Sequence, residues 1–330
     1  MYIESEASPS FRISILHPYP SNHTQEAEVS HSGFHLYLYF LFFKSREVIV
    51  SLHPIEMTTR PRHTNYSPQS SIITLYDTNV QHGYTPQPWA PNIWRVRFIL
   101  NYKRLPYKTI WVEFADVEAT LRSIGAPPSA MKSDGLPLYT LPVLVDPTNI
   151  PYAPVILSNT NNISEYLEST YPSPAVFPAG SRALQSLFVH CIQEFFAKPL
   201  LPIMVPMSHQ HLSDRSQRHL RNYPSSLSAA YNPQGHSSSH PLPSGPQREQ
   251  AWLAVKEQFD FIDAIMAKNT GDGDGIVVMG REVTYADFAL CSVLLWIVRI
   301  APQDWVRVRN WNGGRWERLW ERCKPYMQEH

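Results

Sequence analysis

Three things are scarce in this 330-residue chain, and each scarcity removes a class of function. Net charge is absent, with 28 Lys and Arg against 28 Asp and Glu, so no overall field draws nucleic acid or an anionic membrane. Cysteine is rare: only Cys191, Cys291 and Cys323 occur, widely spaced and without a Cys-x-x-Cys pair. That pattern excludes dithiol redox chemistry and a disulfide framework, and it fits a reducing, cytoplasmic compartment. Long apolar runs are missing too. The run "FHLYLYFLFF", from Phe34 to Phe43, is about half the ~20 residues of a membrane-spanning helix, and it lies too far into the chain for an ordinary signal peptide. What is present is 43% hydrophobic residues, 12% of the total aromatic, enough to pack cores over a length that holds two ordinary domains. Partners are expected among small molecules and proteins, with no nucleic acid and no membrane span.

Residues 1–70 are rich in Ser, His and Pro and show no sustained period, which predicts a disordered, low-order extension. The apolar run inside it reads as a membrane-contact or partner-binding segment, as a poorly ordered strand pair, or as non-native sequence. From Ser71 the texture changes. "SIITLYD" predicts a strand with Ile73 and Leu75 on one face, and "PNIWRVRFILNYK" predicts a helix with Ile93, Val96 and Leu100 at helical spacing. "YKTIWVEF" is the next strand, followed by an irregular segment, the strands "LYTLPVLVD" and "APVIL", and the helix "SNTNNISEYLEST". This order predicts a small α/β domain over 71–172. The remainder, 173–330, reads as all-α: an amphipathic "SRALQSLFVHCIQEFFAKPLLPIMV", a long "REQAWLAVKEQFDFIDAIMAK", and "TYADFALCSVLLWIVRI", apolar nearly all round and so a buried core helix. A Ser-, Pro- and His-rich insert near 222–247 interrupts the helices, and "RVRNWNGGRWERLWERCK" predicts a closing amphipathic helix.

Several local patterns carry chemistry. "WAPNIW" places Pro91 at the first helical position, where its missing N–H costs nothing. Ala90 before it is a poor cap, giving up about 1 kcal/mol relative to serine. "SNT" at Ser158, Asn159 and Thr160 predicts N-capping of the next helix. Thr284 and Asp287 have the spacing of a capping box. His209, His211 and His219 lack carboxylates or cysteines at ligand spacing, so they read as solvated surface and no metal is expected. "GDGDG" from Gly271 lacks the later oxygen donors of a calcium loop and reads as a turn.

With "YTLPVLVD", "SNTNNISEYLE" and "GREVTYADFALCSVLLW" in this order, residues 71–330 resemble the cytosolic glutathione transferases. "WAPNIWRVRFILNYKRLPYKTIWVEF" and "WNGGRWERLWERCKPYM" are similar to the fungal etherase-related and UstS-like members. The resemblance implies a two-domain α+β fold, with a thioredoxin-like N-terminal domain that binds glutathione and an all-α C-terminal domain. It also implies a homodimer, and glutathione as co-substrate transferred to a small hydrophobic electrophile, aromatic or ether-bearing.

The resemblance also locates a site. A thiol of pKa about 8.5 must be ionised to react, and in these relatives a helix entrance supplies free N–H groups and a serine hydroxyl to the sulfur. Here Ala90 stands where the serine is expected and cannot donate, so activity is expected to be weakened. Asn92 is the nearest substitute donor, and Tyr84 and Thr85 lie on the preceding loop. Leu141 and Pro142 match the position of a cis-proline whose neighbour pairs, strand-like, with the cysteinyl part of glutathione. Asn159 and Thr160 match the acidic-Ser pair that holds the γ-glutamyl end, with Ser158 just before and Pro91 completing the corner. Asn159 keeps a hydrogen-bond acceptor but loses the ion pair to the ammonium. The insert near 222–247 replaces a helix that contributes to the second substrate pocket in relatives, and Trp296, Trp305, Trp311 and Trp316 are candidates to line an aromatic pocket. The alternative reading is a non-catalytic glutathione-binding, ligand-binding or regulatory member of the same fold.

Overall fold

The computed structural model describes residues 72–82, 85–132, 134–148, 153–222, 242–269, 271 and 273–329. The predicted extension over 1–70, Tyr84 and most of the insert near 222–247 lie outside the described residues. All described residues belong to the compact unit from Thr64 to His330.

β1 (Ile73–Asp77) is buried along its whole length, because it is an interior strand. A hairpin of β2 (Asn79–His82) and β3 (Thr85–Pro88) leads to α1 (Pro91–Tyr102) and then β4 (Tyr107–Trp111). β4 pairs parallel with β1, from Ile73 opposite Tyr107 to Asp77 opposite Trp111. A 3-10 turn (Phe114–Asp116), α2 (Val117–Ser123) and the small hairpin β5 (Ala130–Met131) with β6 (Pro137–Leu138) follow. β7 (Val143–Asp146) returns antiparallel to β1, with Leu75 opposite Leu144, and β8 (Val155–Ser158) pairs antiparallel with β7. The sheet order is therefore β4-β1-β7-β8, and α3 (Thr160–Thr170) closes this half.

The strands and helices expected in this half form, with "LYTLPVLVD" a continuous strand only from Val143, and the β2–β3 hairpin, α2 and the small β5–β6 hairpin were not anticipated. The β2–β3 hairpin carries Pro86 and Pro88, which weaken a strand signal and are tolerated in an isolated two-stranded ribbon. α2 spans seven residues, too short to show a period. The strand read through Phe114 ends at Trp111: Phe114 opens the 3-10 turn, and Ile110 is exposed on the edge strand.

The helical half comprises α4 (Arg182–Cys191), a π turn (Ile192–Phe196), a 3-10 turn (Lys198–Leu200), α5 (Leu201–Gln210), α6 (Asp214–Asn222), α7 (Gly245–Met266), α8 (Tyr285–Ile300), α9 (Pro302–Val308) and α10 (Arg315–Cys323). The single helix expected from Ser181 is broken before Pro199 and Pro202, since proline cannot donate to the preceding turn. By length and composition, Arg182–Gln210 passes as a membrane span. In the structure Val189, Ile192, Phe196, Ile203 and Met204 from this stretch are core residues, while Leu184, Leu187 and Phe195 are exposed. α8 is buried continuously from Tyr285 to Ile297, as its apolar circumference requires. The predicted closing helix is interrupted at Asn312, Gly313 and Gly314, all with positive φ, a conformation that glycine adopts without steric cost.

α1 joins the two halves. Phe98 stacks on Phe288 of α8 at 5.1 Å, and Tyr102 meets the same ring edge-on. On α1, Arg97 reaches Asp77 at the end of β1 with bonds of 2.8 and 2.9 Å, both side chains fully buried. Beyond the end of α1, Lys103 donates 2.7 Å bonds to Glu168 of α3 and to the Tyr171 and Pro174 carbonyls. Glu168 in turn accepts from the backbone N–H groups of Val176 and Phe177. One buried ion pair thus fixes the segment that runs from the α/β half into the helices.

Candidate glutathione site

The entrance of α1 is built from what Ala90 and Pro91 cannot do. Ala90 is extended (φ −72°, ψ 125°), offers no side-chain acceptor to the first turn, and is buried. Its carbonyl accepts from Ile93 and Trp94 at 3.1 and 3.0 Å. Pro91 has no N–H, so the Asn92 amide is the first backbone donor of the helix and has no intrahelical acceptor.

Two segments remote in the chain converge on Asn92 at the helix entrance. Its side-chain amide donates to the Leu141 carbonyl at 2.8 Å, and its backbone carbonyl accepts from the Thr160 hydroxyl at 3.1 Å. The Leu141–Pro142 peptide is cis. The helix entrance, the proline bend and the start of α3 are therefore one site, although 49 and 68 residues separate the bonded pairs.

The individual residues divide. Asn159 is exposed, caps α3 by accepting from the Asn161 N–H at 2.9 Å, and holds φ 74°, ψ 126°, outside the comfortable region for a residue with a side chain. Such a conformation persists only where its surroundings impose it. Thr160 is buried and faces α1. Ser158 turns to other work: it is buried and its hydroxyl donates to the Pro127 carbonyl. Asn92, the expected substitute donor, has its amide committed to Leu141, so it shapes the bend. The capping box forms at α8, with the Thr284 N–H and hydroxyl both donating to the Asp287 carboxylate at 2.9 and 2.8 Å. Burial pushes the Asp287 carboxyl up to about 6.

An aromatic wall stands beside Ala90. Trp89 lies 6.5 Å from Trp296, whose indole N–H donates to Ser208 of α5 at 2.8 Å. Among the described residues the buried Trp89 indole N–H has no acceptor. Of the four tryptophans read as pocket candidates, only Trp296 is beside this corner. Trp311 and Trp316 pack on Phe259, and Trp305 pairs with Trp320. Trp89 was missed because its neighbour comes from a helix more than 200 residues away.

His209, His211 and His219 are half-buried where solvated surface was expected, and burial lowers the His209 pKa. Among the described residues no group of His, Cys, Asp or Glu is arranged to hold a metal.

Known proteins match this arrangement along most of the chain. Residues 88–175 match the glutathione S-transferase N-terminal domain and residues 183–326 the C-terminal domain. The glutathione S-transferase-like protein ustS of Aspergillus flavus is 24% identical over 79% of this chain and 92% of that protein. The crystal structure of glutathione transferase GSTFuA3 from Phanerochaete chrysosporium is 31% identical, with a TM-score of 0.67 over 78% of this chain and 98% of that one. The glutathione S-transferase CsGST83044 of Ceriporiopsis subvermispora, solved in complex with glutathione, is 32% identical, with a TM-score of 0.68 over 77% of this chain and 98% of that one. By fold, domain order and these matches, the chain belongs to the glutathione S-transferase family.

Proposed function

We propose that this protein binds glutathione in the groove between the entrance of α1, the Leu141–Pro142 bend and the start of α3, and conjugates its thiol to an aromatic or ether-type electrophile. The observation that carries the reading is the convergence of Leu141 and Thr160 on Asn92. The Asn92 backbone N–H and the positive end of α1 supply a partial positive charge for a thiolate, and the α3 entrance suits a carboxylate. Trp89 and Trp296 supply an apolar face for a flat electrophile. CsGST83044, a relative of similar fold, was crystallised with glutathione.

Ala90 favours a second reading, a glutathione-binding protein without conjugating activity. Its methyl group donates nothing, and Asn92 is already engaged. Calorimetry with glutathione and S-hexylglutathione, paired with a conjugation assay on a nitroaryl halide, separates the two. Binding with turnover above that of free glutathione supports the transferase, binding without turnover supports the second reading, and no binding overturns both.

The same proposal includes a cytoplasmic homodimer of protomers that each comprise an α/β domain over 71–172 and an all-α domain over 173–330. The dimer contact falls on the outer face of α4 and its π turn, where Leu184, Leu187 and Phe195 are 68%, 60% and 60% exposed. An apolar stripe of this kind on a surface helix marks an interface. Sedimentation of the wild type is expected to give a dimer and Leu187→Glu a monomer; a monomeric wild type contradicts the assignment.

A further inference from the structure

The apolar face formed by Trp89 and Trp296 is shut. The two side chains are 8% and 5% exposed, so a flat ligand reaches the rings only when they part. The shut arrangement is also incompletely bonded, because the Trp89 indole N–H has no acceptor among the described residues. A buried donor left unpaired opposes the arrangement that buries it. Something else must hold the rings together.

A clasp one helical turn along does so. Arg299 follows Trp296 by three positions on α8, and Gln87 precedes Trp89 by two on extended chain, so each pair projects from one side of its element. The Arg299 guanidinium donates to the Gln87 side-chain carbonyl at 2.9 Å and to the Glu329 carboxylate. Gln87 belongs to the β2–β3 ribbon, which pairs with no further strand among the described residues, and an isolated ribbon is marginal without outside support. Its root is fixed, since the buried Trp94 indole N–H donates to the Pro88 carbonyl at 3.1 Å. Glu329 ends a strap across α1: the Tyr326 ring meets Tyr102 and Phe288 edge-on, and the Asn101 side chain donates to the Tyr326 and Gln328 carbonyls at 2.7 and 2.9 Å. The clasp itself is partly open to solvent, with the Arg299 and Glu329 side chains 26% and 36% exposed, and such pairs are weak enough to break and reform.

We propose that Arg299 is a positioning residue for the electrophile side of the groove: it clasps β3 and the C-terminal strap to the end of α8, and so sets the size of aromatic group that the Trp89–Trp296 face admits. The inference rests on the glutathione reading and adds a size rule to it. A small substituent on the sulfur leaves the two rings together. A fused-ring substituent binds only the parted form, and its affinity is reduced by the fraction of molecules in that form. Arg299 touches neither ligand; it acts through Gln87 and Trp89.

The test measures, by calorimetry on the full chain, the dissociation constants of S-methylglutathione and S-naphthylmethylglutathione, whose shared tripeptide cancels in their ratio. In Arg299→Met the naphthylmethyl probe is expected to bind about fivefold more tightly than to the wild type, while the methyl probe holds within about twofold. Glu329→Gln, which keeps the Arg299–Gln87 bond, is expected to move the ratio in the same direction by about twofold. A ratio that stays constant or falls in Arg299→Met, or equal weakening of both probes, overturns the proposal and leaves the glutathione groove intact. If Arg299→Met does not fold, Glu329→Gln decides: a rise in preference for the naphthylmethyl probe supports the clasp, and no rise overturns it. Failure of both probes to bind the wild type overturns the glutathione reading together with this one.

Discussion

Ala90 presents a methyl group at the point where a sulfur anion would lie, and Ala90→Ser measures what a hydroxyl is worth there. One charge-assisted hydrogen bond contributes about 1.5–3 kcal/mol, or roughly one to two pKa units for the bound thiol. Ala90→Ser is expected to lower the pKa of bound glutathione by that amount, read from thiolate absorbance against pH, and to raise conjugation near neutral pH about 10- to 100-fold. An unchanged pKa would place the thiol elsewhere. Asn92→Ala tests the neighbouring residue. Loss of the 2.8 Å bond to Leu141 leaves a partly buried carbonyl unpaired, a cost of about 1–3 kcal/mol. Glutathione affinity is expected to fall with it as the bend loosens, which calorimetry of the variant reads. Position by position, short-range patterns marked Pro91 as a first-turn proline and Asn159 as a cap, whereas the bend at Pro142 followed from the family resemblance. The sequence hid Trp89 and the buried side of Ser158, because their contacts are with Trp296 and Pro127, which are remote along the chain.

Among the elements, α8 gives the sharpest expectation. Its capping Asp287 is buried, and its carboxyl titrates at about 6 in the fold against 3.8 in the unfolded chain. Between those values the folded state holds more proton than the unfolded one, so stability is greatest below about pH 4 for this group and is lost as pH rises through 6. The effect is roughly 2–3 kcal/mol at its full extent. Chemical unfolding of the wild type is expected to show this loss against the background of other carboxylates, and Asp287→Asn is expected to remove it; an unchanged pH profile in the variant contradicts the assignment. Elements long enough to show a pattern, such as the helical spacing in α1 and α3 and the all-round apolar run of α8, were legible before folding. The π turn after α4, the seven-residue α2 and the break at Asn312–Gly314 were not, since each is shorter than the window over which a period shows.

For the whole molecule, the deciding interaction is the buried pair of Lys103 and Glu168 with the carbonyls and amides it collects from residues 171–177. Removing one partner strands the other in the interior, at about 3–5 kcal/mol. Lys103→Met is therefore expected to lower the unfolding free energy by that amount; a change under 1 kcal/mol in denaturant unfolding would show that the pair is dispensable. Domain order was legible from the succession of strand and helix patterns, but this tie was not, because Lys103 and Glu168 look like ordinary surface charges in the linear text.

The same pair has a consequence for how the site can change over time. α1 is moored at its far end by a pair whose one-sided removal costs several times the ~1 kcal/mol that a capping serine adds at the near end. An exchange of the small buried side chain at position 90 for a similar one, such as serine, therefore alters reactivity far more than it alters the hold on the helix.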